Sequence, residues 1–337
     1  MSSNYLLAYR LFTAAALALV ASSCSSQGAV VPRYAGNGDA QARRSAEPAL
    51  SAQAIALVLA PAVGSNLYLF NRQHVQVATI AVQENGVSGM GAVAVDPRAQ
   101  IYLAHSGYPS ATGVNVLIFR PPYTGRPMVV SAKKFGTVSA VAVDWKHAVF
   151  AVTTNGFSVS SPAHVLFFRI GASEPCASVS LPVGAPVSSS ASFDRQGVLF
   201  SDQAISNAYQ VFSVAGGCAA STFRVYSPQF SSINNIRVNG SNQLVIDTTG
   251  NSNTGILTFA HPSGGSLGSP VAKTILDEIN GAPAALVTLS ADGTKLWAAP
   301  FFQPGVGIYR YPQGGSRVAI IKNLVDPFGA VYPQLQP

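Results

Sequence analysis

Apolar runs of roughly four to eight residues, rich in β-branched side chains, alternate along this chain with Gly, Pro, Asp and Ser. The pattern predicts strands, and no helical period competes with it. Gly91–His105 shows the unit most clearly. It reads as a strand over Ala92–Val95, a turn opened by Asp96-Pro97, and a second strand over Ile101–Ala104. A third strand is predicted at Val114–Phe119 and a fourth at Met128–Ala132.

The unit recurs. Val141–Asp144, Ala191–Asp194, Ile236–Asn239 and Val287–Ser290 repeat the end of the first strand, with successive spacings of 48, 50, 45 and 51 counted from Asp96. The aromatic residue closing the third strand repeats independently as Phe70, Phe119, Phe168, Phe212, Phe259 and Tyr309, spaced 49, 49, 44, 47 and 50. Two markers keeping one period predict an all-β fold, a six-bladed β-propeller of four-stranded blades spanning residues 52–337. The first blade lacks a first strand ahead of Ile55–Ala60, and Gly329–Tyr332 lacks a second strand after it. Their pairing would close the ring and remove an open sheet edge. The aromatics are expected between neighbouring blades. His261–Ser266 and Tyr311–Ser316 match without a gap as hairpins whose Gly-Gly pairs allow positive backbone dihedrals.

Residues 1–23 predict a secretory signal peptide, with Arg10 ahead of the apolar run Leu11–Ala21, which is too short to cross a bilayer. The small residues before Cys24 resemble a bacterial lipobox, which implies lipidation of Cys24, although Ala21 stands where Leu is usual. Residues 24–51, rich in Ser, Ala, Gly and Pro, predict a flexible tether. The protein is therefore expected to be exported, either as a membrane-anchored lipoprotein of the cell envelope or as a secreted protein. The formal charge of +7 is spread thinly, which argues against nucleic acid.

The arrangement Ala-Val-Ala-Val-Asp-Pro, Ile-Tyr-Leu-Ala, Val-Leu-Ile-Phe resembles the NHL-type repeats of secreted bacterial propellers. In that family the first-strand carboxylate caps its turn, and Asp96, Asp144 and Asp194 fit that structural role. A more distant similarity runs to six-bladed propellers of the gluconolactonase type, which implies a divalent metal on Asn and acidic ligands in the central channel. The equivalent positions here are Gly91, Ser139, Ser189, Asn234, Ala285 and Gly329, of which Asn234 alone has ligand chemistry. The acidic ligands are absent, so that activity is not implied.

The ends of the second strands form another ring: His105, Thr153, Asp202, Asp247 and Pro300. Asp202 and Asp247 belong to adjacent blades with Asn234 and Asn235 between them, a candidate polar pocket or weak divalent-cation site. The competing reading is that such Asp residues cap their own loops. No other cofactor is expected. Gly264–Gly268 formally matches a nucleophile elbow, but it falls in a hairpin rather than a strand-to-helix turn. The five His residues show no metal spacing. Cys176 and Cys218 occupy matching outer-hairpin positions on consecutive blades. Export permits a disulfide, while the divergence of blades with radius opposes one, since bridged Cα atoms must come within about 7 Å.

Aromatics beside small polar residues (Tyr108, Phe135, Phe157, Phe230, Phe301, Phe302 and Phe328) mark one loop face, with Phe301 and Phe302 as either a plug or a contact surface. The chain is therefore read as a non-enzymatic binding or scaffolding module for a protein or carbohydrate of the cell envelope. The alternative is a metal-dependent lactonase-like hydrolase.

Overall fold

The computed structural model describes residues 55–61, 66–82, 93–105, 115–131, 134–155, 161–183, 187–205, 208–219, 222–248, 255–279, 284–290, 293–300, 305–322, 324 and 327–331. They form six antiparallel sheets of four strands each. Blade 2 holds β4 (Val93–Val95), β5 (Ile101–His105), β6 (Asn115–Phe119) and β7 (Met128–Ser131). Blade 3 holds β8 (Thr137–Asp144), β9 (Val149–Asn155), β10 (Pro162–Arg169) and β11 (Ala177–Val183). Blade 4 follows with β12 (Val187–Phe193), β13 (Leu199–Ile205), β14 (Ala208–Ala215) and β15 (Thr222–Val225). Blade 5 is β16 (Asn235–Val238), β17 (Leu244–Asp247), β18 (Ile256–Phe259) and β19 (Pro270–Thr274). Blade 6 is β20 (Ala284–Leu289), β21 (Lys295–Pro300), β22 (Val306–Arg310) and β23 (Ala319–Ile321).

Blade 1 is made from both ends of the fold. β24 (Pro327–Val331) pairs with β1 (Leu57–Pro61), which continues to β2 (Asn66–Phe70) and β3 (Gln76–Ala81). The register runs Val58↔Val331, Leu59↔Ala330, Ala60↔Phe328 and Pro61↔Pro327. The closing strand begins two residues earlier than the sequence pattern suggests, because Pro327 and Phe328 already pair. Each first strand then touches the first strands of its two neighbours, in the cycle β4, β8, β12, β16, β20, β24 and back to β4. The chain is an all-β, six-bladed propeller whose first strands surround the axis.

Hydrophobic packing follows the same plan. Among the described residues six buried clusters occur, and each straddles one boundary between adjacent blades. The repeating third-strand aromatics supply one ring to each: Phe119, Phe212, Phe168, Phe70, Phe259 and Tyr309. A propeller core is thus a set of seams, and the aromatic of each blade fills the seam with its predecessor. Burying such a ring contributes on the order of 2–3 kcal/mol.

Turns between first and second strands are built alike. Asp96 Oδ1 accepts from Arg98 N and Gln100 N, and Asp194 Oδ1 from Gln196 N and Val198 N. Asn239 Oδ1 and Ser290 Oγ take the same part in blades 5 and 6. These turns also join one another. The Arg98 guanidinium lies 4.3 Å over the Trp145 ring, and Lys146 Nζ donates to Arg195 O at 3.4 Å. Arg195 N donates to Asn242 Oδ1 at 3.0 Å, its Nη2 to Gly240 O, and Asn242 Nδ2 to Gln196 Oε1 at 3.1 Å. The contacts form a collar through blades 2 to 5 at one end of the ring.

At the rim, Cys176 and Cys218 are joined as a disulfide with their Cα atoms 5.1 Å apart. Divergence with radius is overcome locally. Gly216 and Gly217, both at positive φ, turn the hairpin between β14 and β15, and Cys218 packs with Ala177, Val179 and Phe223 in the seam between blades 3 and 4. The two Gly-Gly hairpins dock similarly on the preceding blade: Ser227 bridges Ser266, and Leu276 bridges Gly315. The segment resembling a nucleophile elbow is one of these hairpins, and Ser266 Oγ accepts from Gly268 N within it.

Candidate functional site

Strand alternation decides which seam each polar side chain enters. On β13, Leu199 packs toward blade 3 and Phe200 toward blade 5. Asp202, two residues after Phe200, shares its side, and Gln203, four residues after Leu199, shares that one. On β16 and β17, Ile236 and Ile246 pack toward blade 4, which turns Asn235 and Asp247 toward blade 6.

The residues proposed as one pocket therefore divide, Asp202 facing blade 5 and the pair Asn235 and Asp247 facing blade 6. Asn235 and Asp247 are direct register partners, and Asn234 N donates to Asp247 O at 2.8 Å. Asn235 Nδ2 reaches across to Val287 O of blade 6 at 2.8 Å. Asp202 lies in the neighbouring seam, where Ser190 Oγ donates to its Oδ1 at 3.4 Å. Ser190 Oγ also accepts from Ile236 N at 3.1 Å, and Ser192 Oγ from Val238 N at 3.0 Å. Two serines of β12 thus replace a strand partner for the axial edge of β16. All of Asp202, Asp247, Asn235, Ser190 and Ser192 are buried.

Blade 3 contributes Ser139 and Thr153, whose hydroxyls lie 2.9 Å apart, and Thr154 Oγ1 donates to Phe135 O. His105 ends β5, with Asn115 as its register partner. Its side chain lies outside the described residues, as do Cys24, Phe301 and Phe302 altogether. Tyr108 and Phe157 fall outside as well. Two of the loop aromatics can be placed. Phe135 stacks edge-on to His164 with centroids 5.2 Å apart, and Phe230 packs edge-on to Phe259 at 6.1 Å. Both belong to inter-blade packing. Among the described residues, no three His, Cys, Asp or Glu side chains come together as metal ligands.

Two residues of this region were not singled out from the sequence. Gln203 is fully buried, and neither Nε2 nor Oε1 has a hydrogen-bond partner among the described residues. Asn235 Oδ1 is likewise without one. Buried amides in proteins are almost always paired, so an amide with both ends unmet needs a reason. The second residue is Arg237, whose Nη1 donates to Ala191 O at 3.3 Å and Ile236 O at 3.1 Å. Burial lowers its pKa to about 10, which leaves it protonated at neutral pH. A sequence signal existed for Arg237. Two residues before the turn residue, the blades carry Ala94, Ala142, Ser192, Arg237 and Thr288, and one long cation among small side chains stands out. Gln203 had none, since it differs from its neighbours only by chemistry that burial makes costly.

The polar groups placed near the first strands are hydroxyls, amides and carboxylates, most of them buried. Comparison with known proteins defines the class of fold and goes no further. No protein-family model matches the chain, and no curated protein is similar to it in sequence. Among solved structures, the chain is similar to one in a crystal structure of a nidogen/laminin complex, with a TM-score of 0.59 at 11% identity, covering 83% of this chain and 98% of that one. It is also similar to a chain of the hydrazine synthase of Kuenenia stuttgartiensis, with a TM-score of 0.55 at 14% identity, covering 77% and 75%. At such identities the likeness shows the six-bladed propeller alone.

Proposed function

We propose that this propeller is a non-enzymatic binding module of the cell envelope, taking a polar ligand, carbohydrate-like in its hydroxyl and amide chemistry, at the axial mouth beside blade 4, where Gln203 faces blade 3. One observation carries the reading. Gln203 is buried with both ends of its amide unmet, a cost of about 1–3 kcal/mol per group that a folded chain sheds easily by mutation to Leu. Retaining it makes sense where a ligand completes the hydrogen bonds. Asn235 Oδ1 offers a second unmet acceptor two seams away. Export is supported by the leader-like residues 1–23 and by the disulfide between Cys176 and Cys218, a bond that persists in oxidising compartments.

The test is a glycan array probed with the purified protein, followed by calorimetry on any hit. Saturable binding that Gln203→Leu reduces about tenfold or more, with folding intact, supports the reading. Elemental analysis and a lactone screen with and without chelator accompany it. A stoichiometric divalent ion with chelator-sensitive turnover would replace this reading by the lactonase one.

A further inference from the structure

Arg237 holds an unusual position on the axial lining. The first strands form a closed ring, and alternation sends the Arg237 side chain off β16 on the blade 6 side, opposite Ile236. Its Nη1 nevertheless bonds Ala191 O of blade 4 as well as Ile236 O. Both acceptors lie on first strands, so the side chain folds back across the axial edge of β16. The residues at the equivalent places, Ala94, Ala142, Ser192 and Thr288, are smaller and buried.

Two carbonyls pin Nη1 and so fix the plane of the guanidinium. What they leave is the other edge. Nε is shielded from solvent and has no hydrogen-bond partner among the described residues, and Nη2 bonds none of them. No ion pair among the described residues engages Arg237. A half-buried guanidinium whose Nε is shielded and which has no counter-charge is costly, and burial lowers its pKa. The Nε–Nη2 edge is the planar two-donor fork that matches two oxygens of a carboxylate or phosphate.

We propose that this edge of Arg237 is an oxyanion-binding group, and that the ligand at the axial mouth carries a carboxylate or phosphate that docks on it. The inference rests on the binding reading above and names the chemistry of its ligand. Asn235 and Ser190 stand two residues earlier on their first strands than Arg237 and Ser192, so the anionic group enters first and settles deeper. The neutral groups of the ligand remain at the level of Asn235 and Gln203. The formal charge of +7 adds a weak general attraction for anions.

The experiment titrates the purified full-length protein with glucuronate, inorganic phosphate and, as neutral control, glucose. The Nε–H resonance of Arg237 is followed by heteronuclear NMR, and affinity by calorimetry. A saturable shift with glucuronate or phosphate but not glucose is expected, and whichever anion binds tighter identifies the source. Arg237→Lys keeps the charge without the fork and should weaken binding roughly 10- to 100-fold. Arg237→Met should abolish it. If Arg237→Met fails to fold, Arg237→Lys carries the test alone. An unmoved resonance, or unchanged affinity in either folded variant, overturns the proposal. A neutral glycan whose binding is lost in Gln203→Leu but kept in Arg237→Met would overturn it while leaving the binding reading in place. Anion binding at Arg237 with no glycan bound anywhere would do the reverse.

Discussion

His261 Nε2 lies 2.8 Å from Asp194 Oδ2, joining the hairpin end of blade 5 to the turn of blade 4. The Asp194 side chain is fully buried, and its other oxygen already serves two turn amides. The imidazole also stands edge-on to Phe200, with centroids 5.8 Å apart. One buried carboxylate therefore caps its own turn and anchors the neighbouring blade. His261→Ala should destabilise the fold by about 1–3 kcal/mol, the cost of leaving the Oδ2 atom unpaired. A double-mutant cycle with Asp194→Asn should show a coupling of about 0.5–3 kcal/mol by urea denaturation. Additive effects would mean that the contact carries no energy.

Gly197 is held at φ +80° against the same collar, and a Cβ there would approach His147 Nδ1 at 2.8 Å and Asp144 Oδ2 at 2.9 Å. Gly197→Ala combines an unfavourable dihedral with a displaced His147. A loss of about 1–3 kcal/mol is expected from thermal melting, and an unchanged melting temperature would contradict the collar's role.

Removal of residues 327–337 deletes β24 and leaves the axial edge of β1 unpaired from Val58 to Pro61. An exposed strand edge recruits other chains. Light scattering should show aggregation of the truncated protein at temperatures where the full chain is monomeric. A monomer with unchanged melting would mean that the ring is not held closed by this strand.

The repeat was readable because the same chemistry recurs every blade: a turn residue after the first strand and an aromatic at the end of the third. Phe70, Phe119 and Phe168 repeat because every seam needs a ring to fill it. The pocket was harder to read. Sequence spacing brings Asp202, Asn234, Asn235 and Asp247 together in adjacent blades, but side-chain alternation along β13 and β16 divides them between seams. Such a division depends on which neighbour each strand face meets, and that follows from packing rather than from spacing. Cys176 and Cys218 show the same limit, since radial divergence is a property of ideal blades and Gly216-Gly217 bends the real one.

The bond between Cys176 and Cys218 closes a loop of 42 residues. A loop of that size stabilises by about 2–4 kcal/mol in the chain-entropy account. Reduction under native conditions should lower the melting temperature by several degrees and loosen the rim hairpins first in hydrogen exchange. Replacing both cysteines with Ser should match the reduced protein. Identical melting with and without reductant would show that the bond does not constrain the fold.

At high pH, stability should fall. Burial raises the pKa of Tyr309 to about 12 and those of Tyr102 and Tyr123 further, while unfolded tyrosines ionise near about 10. The folded chain then binds more protons than the unfolded one, so the slope of unfolding free energy against pH is negative above that value. Arg237, whose pKa burial lowers to about 10, acts in the opposite sense above that value, one group against three. Tyr309→Phe, which loses the hydrogen bond to Asp277 O at 2.8 Å, should make the fall shallower. A denaturation midpoint that holds steady or rises through this range would contradict the assignment.

The proposed site requires that Gln203 be kept for a ligand rather than for the fold. Its most direct test is the melting temperature of ligand-free Gln203→Leu against the unmodified protein. Removing an amide with neither end paired should raise the melting temperature by a few degrees, since each unmet group costs about 1–3 kcal/mol. A melting temperature that falls instead would show that Gln203 serves the fold and that the proposed site is structural.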